Sequence, residues 1–371
     1  MTERPTLAVG LMSGTSLNGM DAALVRLDRP TQAQLVAFAT RPYSAAERAE
    51  LVQALEGGTP QRFAHLHARL GQWAAEAVQA VLDLGHVKAS ELDLIAFPGQ
   101  TMWHEPPLVT WQLGEPAILA EEFGVRVVSG FRGRDLAAGG QGAPLVPMAD
   151  LLLFGAQDHA RILLNLGGMA NLTWVRRRAD ESGAMAFDTG PGMAVIDAVA
   201  GMVQPGASMD RDGTLSASGV VAERVLAELL DDPFFHSAPP RSTGRERFGS
   251  AYARALHQRV PGPDGIATAV ALTARSVADA CRRWIPPATE VLLSGGGASH
   301  PGLRAMLERE FASLPVPVRV ARFEEQFFRG DAKECVAFAL LGYLAVHGQP
   351  GNVPGATGAV GPRVLGQVTP A

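Results

Sequence analysis

Four times along this chain a short apolar run breaks into a glycine-rich turn and then resumes as strand or helix: at residues 7–24, 161–175, 184–200 and 291–311. Leu7–Met12 and Met20–Leu27 read as strands on either side of Ser13-Gly14-Thr15-Ser16-Leu17-Asn18-Gly19. Arg161–Leu166 ends at Gly167-Gly168, with Leu172–Val175 as its hairpin partner. Ala184–Phe187 runs into Asp188-Thr189-Gly190-Pro191-Gly192 ahead of a helix over 194–203, and Val291–Leu293 runs into Ser294-Gly295-Gly296-Gly297 ahead of one over 301–311. Repeated in both halves, the pattern predicts an α/β protein with two mixed sheets facing a cleft. Ligands of open α/β sheets sit at strand ends beside such turns. Glycine lets backbone approach a phosphate or a flat ring closely. Each turn taken singly also reads as a plain hairpin or strand-to-helix connection.

At 371 residues the chain is long enough for two cores. A net charge of -5 leaves no basic stripe for nucleic acid, and Arg176-Arg177-Arg178 is followed at once by Ala179-Asp180-Glu181, a solvated turn. The two cysteines, Cys281 and Cys335, sit in apolar helical patterns and read as buried free thiols. No signal peptide pattern and no apolar run of about 18 residues is present, so the expected compartment is the cytoplasm, with no membrane contact.

Helical spacing marks 45–84, 113–123, 220–230, 250–258, 266–284 and 333–346, and short strands are expected over 92–97 and 125–129. Neither a phosphate-binding G-x-x-x-x-G-K-[ST] loop nor a strand-linked G-x-G-x-x-G occurs. A single Asp-Thr-Gly at Asp188 lacks the second copy that a bilobed aspartic protease needs. Asp188 itself reads either as the cap of the helix that follows or as a general base. Trp103 and His104 after Gly99-Gln100-Thr101, and Arg132, Arg134 and Asp135 before Gly139-Gly140-Gln141-Gly142, read as structural ion pairs or as a binding wall.

These residues resemble one family, the anhydro-N-acetylmuramic acid kinases of the actin/hexokinase-like sugar kinases. The likeness is carried in order by Met12-Ser13-Gly14-Thr15-Ser16, Gly99-Gln100-Thr101 with Trp103-His104-Glu105-Pro106, Phe131-Arg132 with Asp135, and Gly139 through Pro147. It continues through Asn165 to Leu172, Phe187 to Gly192, Ser242-Thr243-Gly244-Arg245-Glu246, Leu272-Thr273-Ala274, Gly295-Gly296-Gly297, Asp331-Ala332-Lys333-Glu334, and Asn352 with Thr357-Gly358. The resemblance implies two actin-like (ribonuclease H-like) domains with mixed five-stranded sheets flanking an inter-domain cleft. It implies an N-terminal domain of 1–142 plus 342–371 carrying the first phosphate loop and the sugar side, and a C-terminal domain of 143–341 carrying the nucleotide and the catalytic aspartate.

It also implies an ATP- and Mg2+-dependent enzyme of cell-wall recycling. With water, such an enzyme opens the 1,6-anhydro ring of anhydro-N-acetylmuramic acid and phosphorylates the freed 6-oxygen, giving the 6-phosphate and ADP. Asp188 is then the base. Gly14, Thr15, Ser16, Leu17, Asn18, Gly19, Met20, Asp21, Asn165, Gly167, Gly168, Gly190, Gly295, Gly296 and Gly297 border ATP and its phosphates. Gln100, Thr101, Trp103, His104, Arg132, Arg134 and Asp135 line the sugar. The resemblance names no metal ligands, and a homodimer is implied.

Three positions depart from the family's usual pattern. Asn18 stands for Asp, Pro98 for His and Met193 for Asn. The alternatives they keep open are a kinase or hydrolase with shifted substrate or metal use, and a non-catalytic nucleotide- or sugar-binding homologue.

Overall fold

The computed structural model describes residues 4–14, 17–180, 184–207 and 209–371. Among the described residues thirteen strands carry the fold: β1 (Thr6–Met12), β2 (Gly19–Arg29), β3 (Gln32–Pro42), β4 (Leu94–Ala96), β5 (Gln100–Glu105), β6 (Val109–Leu113), β7 (Arg126–Ser129), β8 (Arg161–Leu166), β9 (Met169–Val175), β10 (Ala184–Pro191), β11 (Glu290–Ser294), β12 (Arg319–Arg322) and β13 (Gln367–Thr369). The chain divides into two compact units, residues 1–153 with 332–371 and residues 154–331.

The first unit holds a six-stranded sheet in the order β13-β7-β4-β1-β2-β3, the second a five-stranded sheet in the order β10-β9-β8-β11-β12. Setting β13 aside, both sheets have one design. Three antiparallel strands (β1, β2, β3 in one; β8, β9, β10 in the other) are extended by two parallel ones, β4 and β7 or β11 and β12. That duplicated order is the actin-like architecture. The sixth strand, β13, adds to β7 antiparallel and comes from the chain's end, which five strands per sheet leave out.

In the first unit the helix Lys333–Val346 lies on β1, and its register depends on Gly10. A methyl on Gly10 would collide with the Cys335 carbonyl oxygen and would stand 2.7 Å from the Ala339 nitrogen. Packed as one piece on β1, this helix carries the unit boundary to 331/332, ahead of the 341/342 read from sequence. The other boundary falls at 153/154 rather than 142/143. On the same sheet lies the long helix Pro60–Gly85, started by a Thr59 cap and Pro60, with Leu66, Leu70, Trp73, Val78 and Val81 buried. In the second unit Pro263–Trp284 is buried along most of its length, from Gly265 to Cys281, and is the spine of that core.

Candidate active site

In the second unit, three of the turns read from sequence meet at the ends of β8, β10 and β11. Asn165 on β8 is in register with Ser294 on β11 and Asn171 on β9. The carbonyl of Gly167 accepts from Met193 N at 2.8 Å, and that of Gly168 accepts from Gly192 N at 2.9 Å and Ala194 N at 3.1 Å. The Thr273 hydroxyl donates to the Gly192 carbonyl at 3.1 Å. Gly295, at φ +79°, has room for no side chain, since a methyl there would stand 2.6 Å from Asn165 Oδ1. On Gly297 a methyl would stand 2.8 Å from Leu166 Cβ and 3.0 Å from Met193 Sδ. Gly296 is exposed and faces open space. The result is a shelf of backbone bare of side chains, which is what a polyphosphate or a purine ring needs in order to lie close. The exposed Arg245 adjoins it: its Nη2 is 3.6 Å from where a methyl on Gly168 would be.

Asp188 stands beside this shelf, inside β10 and not in a turn after it. The helix Met193–Val203 starts at Gly192 with no side-chain cap, so the capping role is excluded. Between Asp188 and Gly190 the pairing with β9 slips by one residue. That bulge leaves Thr189 over, and its hydroxyl turns to the Ala170 carbonyl at 3.0 Å. Such bulges re-aim side chains. The Asp188 carboxylate is half-buried, and its Oδ2 accepts from Thr243 N at 2.8 Å. Burial pushes it up to about 6; the Thr243 N–H and the Arg241 charge pull against this, and the Glu246 charge adds to it. A carboxyl poised near 6 is matched to taking a proton at neutral pH.

Behind the Gly295–Gly297 turn, His300 caps the helix Pro301–Ala312 by accepting from Leu303 N at 3.1 Å through Nδ1. Its proton is therefore on Nε2, 3.0 Å from Asp210 Oδ2. This buried pair ties the 210–216 loop to the turn, since Asp210 also accepts from Leu215 N and Ser216 N.

In the first unit, Thr15 and Ser16 lie outside the described residues. Of the rest of that loop, Leu17 and Met20 are buried in the core, so only their backbone is available to a phosphate. Leu17 sits at φ +50° with its N–H on the Gly14 carbonyl at 3.2 Å. Asn18 is exposed and its carbonyl accepts from Tyr43 N at 3.1 Å. Asp21 is half-buried and accepts from the Thr40 hydroxyl at 2.5 Å.

Two of the seven residues assigned to the sugar are corrected to internal supports. Gln100 is buried, and its Oε1 accepts from the Ser13 hydroxyl at 2.5 Å, with Tyr43 OH 2.8 Å from that hydroxyl. It anchors the first loop to β5. Asp135 is fully buried, with Gly142 N on Oδ2 at 2.7 Å and Asn352 Nδ2 and Thr357 Oγ1 on Oδ1 at 2.7 and 2.8 Å. It organises the 139–142 loop, and its complete burial closes both oxygens to solvent.

Trp103 and His104, adjacent on β5, point to opposite faces of the β5–β6 hairpin. Trp103 is opposite Trp111, whose ring packs on Phe63 with centroids 4.9 Å apart. His104 is opposite Thr110, hydrogen-bonded at 3.0 Å, and shares the polar face with Thr101, Thr110 and Gln112. Partial desolvation and then the Arg132 charge hold His104 below the usual imidazole range, while the Gln141 backbone opposes them. The polar face of the hairpin is thus the one that adjoins Arg132. Arg132 is half-buried and donates to the Gly142 carbonyl at 2.9 Å, and Arg134 is exposed.

Arg132 also faces Glu334, which no single motif had singled out for a role. Burial raises the Glu334 carboxyl, Lys333 and Arg132 oppose that, and Asp21 adds to it. Lys333 itself is paired with Asp150 at 2.8 Å, both buried.

The family model of anhydro-N-acetylmuramic acid kinase (AnmK) matches residues 6–371. The chain belongs to this family. It is 42% identical over 382 residues to the anhydro-N-acetylmuramic acid kinase of Gloeobacter violaceus, covering 99% of each chain. To that of Xanthomonas campestris pv. campestris it is 41% identical over 376 residues, covering 98% of this chain and 97% of the other. To that of Caldanaerobacter subterraneus subsp. tengcongensis it is 38% identical over 386 residues, covering 98% and 96%. As a member of the anhydro-N-acetylmuramic acid kinases the chain is an ATP-using phosphotransferase with an alcohol acceptor, and the bare glycine shelf fits ATP. No helix among the described residues is long and apolar enough to cross a membrane.

Proposed function

We propose that the chain converts anhydro-N-acetylmuramic acid, water and ATP into N-acetylmuramic acid 6-phosphate and ADP, with Asp188 as the base. The single observation that carries this is the Asp188 carboxyl. It is fixed through one oxygen, raised to about 6, and set beside a side-chain-free backbone shelf. Asp188 takes a proton from the water that attacks the anomeric carbon. The bond from that carbon to O6 breaks, and O6 receives the γ-phosphoryl group as ADP leaves. Phosphoryl transfer needs position and charge neutralisation more than covalent help. The shelf at 165–168, 190–192 and 295–297 holds the nucleotide, and Arg245 brings a cation to it. Arg132, Arg134 and His104 hold the sugar through its oxygens, and Thr101 joins them on the polar hairpin face.

Among the described residues no three His, Cys, Asp or Glu side chains gather as a metal cage. Mg2+ carried by ATP asks for less, being held mostly by phosphate and water oxygens with one or two protein carboxylates. Asp21 and Glu334, two carboxylates that feel one another, are the residues that would hold it, with the Asn18 amide oxygen beside Asp21 in sequence. When bound, the ion neutralises phosphate charge. Of the three departures, Asn18 is the one that changes charge. Pro98 is buried at the entry to β5, and Met193 packs its sulfur against Gly297.

The test is ADP release from ATP with the anhydro sugar present and absent. Release that depends on the sugar supports the reaction, and release that ignores it overturns the reaction in favour of simple ATP hydrolysis.

A further inference from the structure

We propose that Arg241 is a positioning residue for the reaction: it clamps β10 at Asp188 from outside the sheet and, with Thr243, sets which carboxylate oxygen takes the proton. The inference rests on Asp188 being the base. Asp188 N donates to the Arg241 carbonyl at 3.0 Å, and Arg241 Nε donates back to the Asp188 carbonyl at 3.0 Å. The two residues are thereby paired like neighbours on adjacent strands, although 241 belongs to a loop. Two residues on, the Thr243 N–H reaches Asp188 Oδ2 at 2.8 Å. Oδ1 has no hydrogen-bond partner among the described residues, so it is the oxygen open to a reacting water.

The far end of the guanidinium is equally fixed. Nη1 donates to the carbonyls of Phe234, Phe235 and Ser237 at 3.1, 3.2 and 2.6 Å, and the group lies 4.9 Å from the Phe234 ring centre and 5.3 Å from that of Phe187. Among the described residues no carboxylate forms an ion pair with it, so its charge is directed at backbone oxygens and, at longer range, toward Asp188. A planar fork of donors serves this many carbonyls at once, which a single ammonium does less well.

The charged groups that face Asp188 are Arg241 and Glu246, one lowering and one raising its carboxyl. Arg241 in turn faces Arg283, which is hydrogen-bonded to His236, and burial with Arg283 lowers the Arg241 guanidinium to about 10. It stays charged at neutral pH.

The experiment is the pH profile of kcat/KM for the sugar in Arg241→Gln, Arg241→Lys and Asp188→Asn. Arg241→Gln is expected to lower kcat about 10- to 100-fold with KM for ATP within about 3-fold, and to move the acid limb up by about half a pH unit or more, because a cation near the base is gone. Arg241→Lys keeps the charge, so its acid limb stays near 6 and its kcat stays within about 3-fold at pH 7. It gains an alkaline limb as the buried ammonium deprotonates, which arginine does not show. A folded Gln variant with the wild-type acid limb and kcat overturns the inference. Should the Gln variant not fold, a Lys variant with no alkaline limb overturns it by itself. Asp188→Asn separates the two readings. Retained turnover there removes the base, and with it this inference. A dead Asn variant beside an unchanged Arg241→Gln removes the positioning role alone.

Discussion

Asp188 and Thr243 meet at 2.8 Å, carboxylate oxygen to backbone N–H, across 55 residues of sequence. That bond holds the Asp188 carboxylate at the edge of the glycine shelf without neutralising it. Asp188→Asn keeps an acceptor for Thr243 but cannot take a proton. Turnover is expected to fall by about 10^2- to 10^4-fold, with ATP affinity within about 2-fold, measured by coupled ADP assay and by calorimetric titration of ATP. Turnover near wild type contradicts the assignment.

If Asp188 is the base, as proposed, with burial pushing its carboxyl up to about 6, kcat/KM is expected to fall as pH drops through about 6 and to be level above it. The same shift has a sign for stability. The folded chain binds the proton more tightly than the unfolded one, so between the ordinary carboxylate range and about pH 6 stability is lost as pH rises. Asp188→Asn is therefore expected to raise Tm at pH 8 by about 1–3 °C, a gain that falls to roughly half at pH 5 and vanishes only below the ordinary carboxylate range. Thermal melts at the two pH values decide. An equal gain at both removes the buried charge as its cause.

Asp135 is expected to matter for the fold of its loop. Asp135→Ala strands Gly142 N, Asn352 Nδ2 and Thr357 Oγ1, three buried donors, and is expected to cost about 3 kcal/mol of stability and to raise KM for the sugar through the displaced Arg132. Urea unfolding and sugar KM test this together. An unaltered midpoint would show that the loop does not depend on this carboxylate.

The glycine shelf predicts sensitivity to a single methyl. Gly295→Ala places that methyl 2.6 Å from Asn165 Oδ1 at a φ that L-residues rarely adopt. KM for ATP is expected to rise about 10-fold or more, with KM for the sugar changed by less than about 3-fold. An unchanged KM for ATP would take the nucleotide away from this turn.

The turns were legible in the sequence because only glycine can stand where Gly192 and Gly295 stand, so the close approaches leave a visible mark. The helix at 333–346 was legible from its apolar spacing, and those at 193–203 and 301–312 from the glycine turns that precede them. β3 was not, because the apolar run Leu35–Ala39 of this edge strand leads into no glycine turn that would mark it. The place of Asp188 in a strand was hidden by the glycine and proline that follow it, which suggest a turn but form a bulge. Adjacent in sequence, Trp103 and His104 looked like one wall, and the two-residue period of a strand puts them on opposite faces. Arg241 left no local signal because nearly everything it holds is backbone.

The central claim is that water attacks the sugar and the freed O6, not water, attacks the γ-phosphorus. Turnover of the anhydro sugar and ATP in ¹⁸O-labelled water tests it most directly, with product and phosphate read by mass spectrometry. One label is expected on the anomeric carbon of the 6-phosphate product and none in any phosphoryl group; label in phosphate, with none at the anomeric carbon, would rule out attack of water on the sugar.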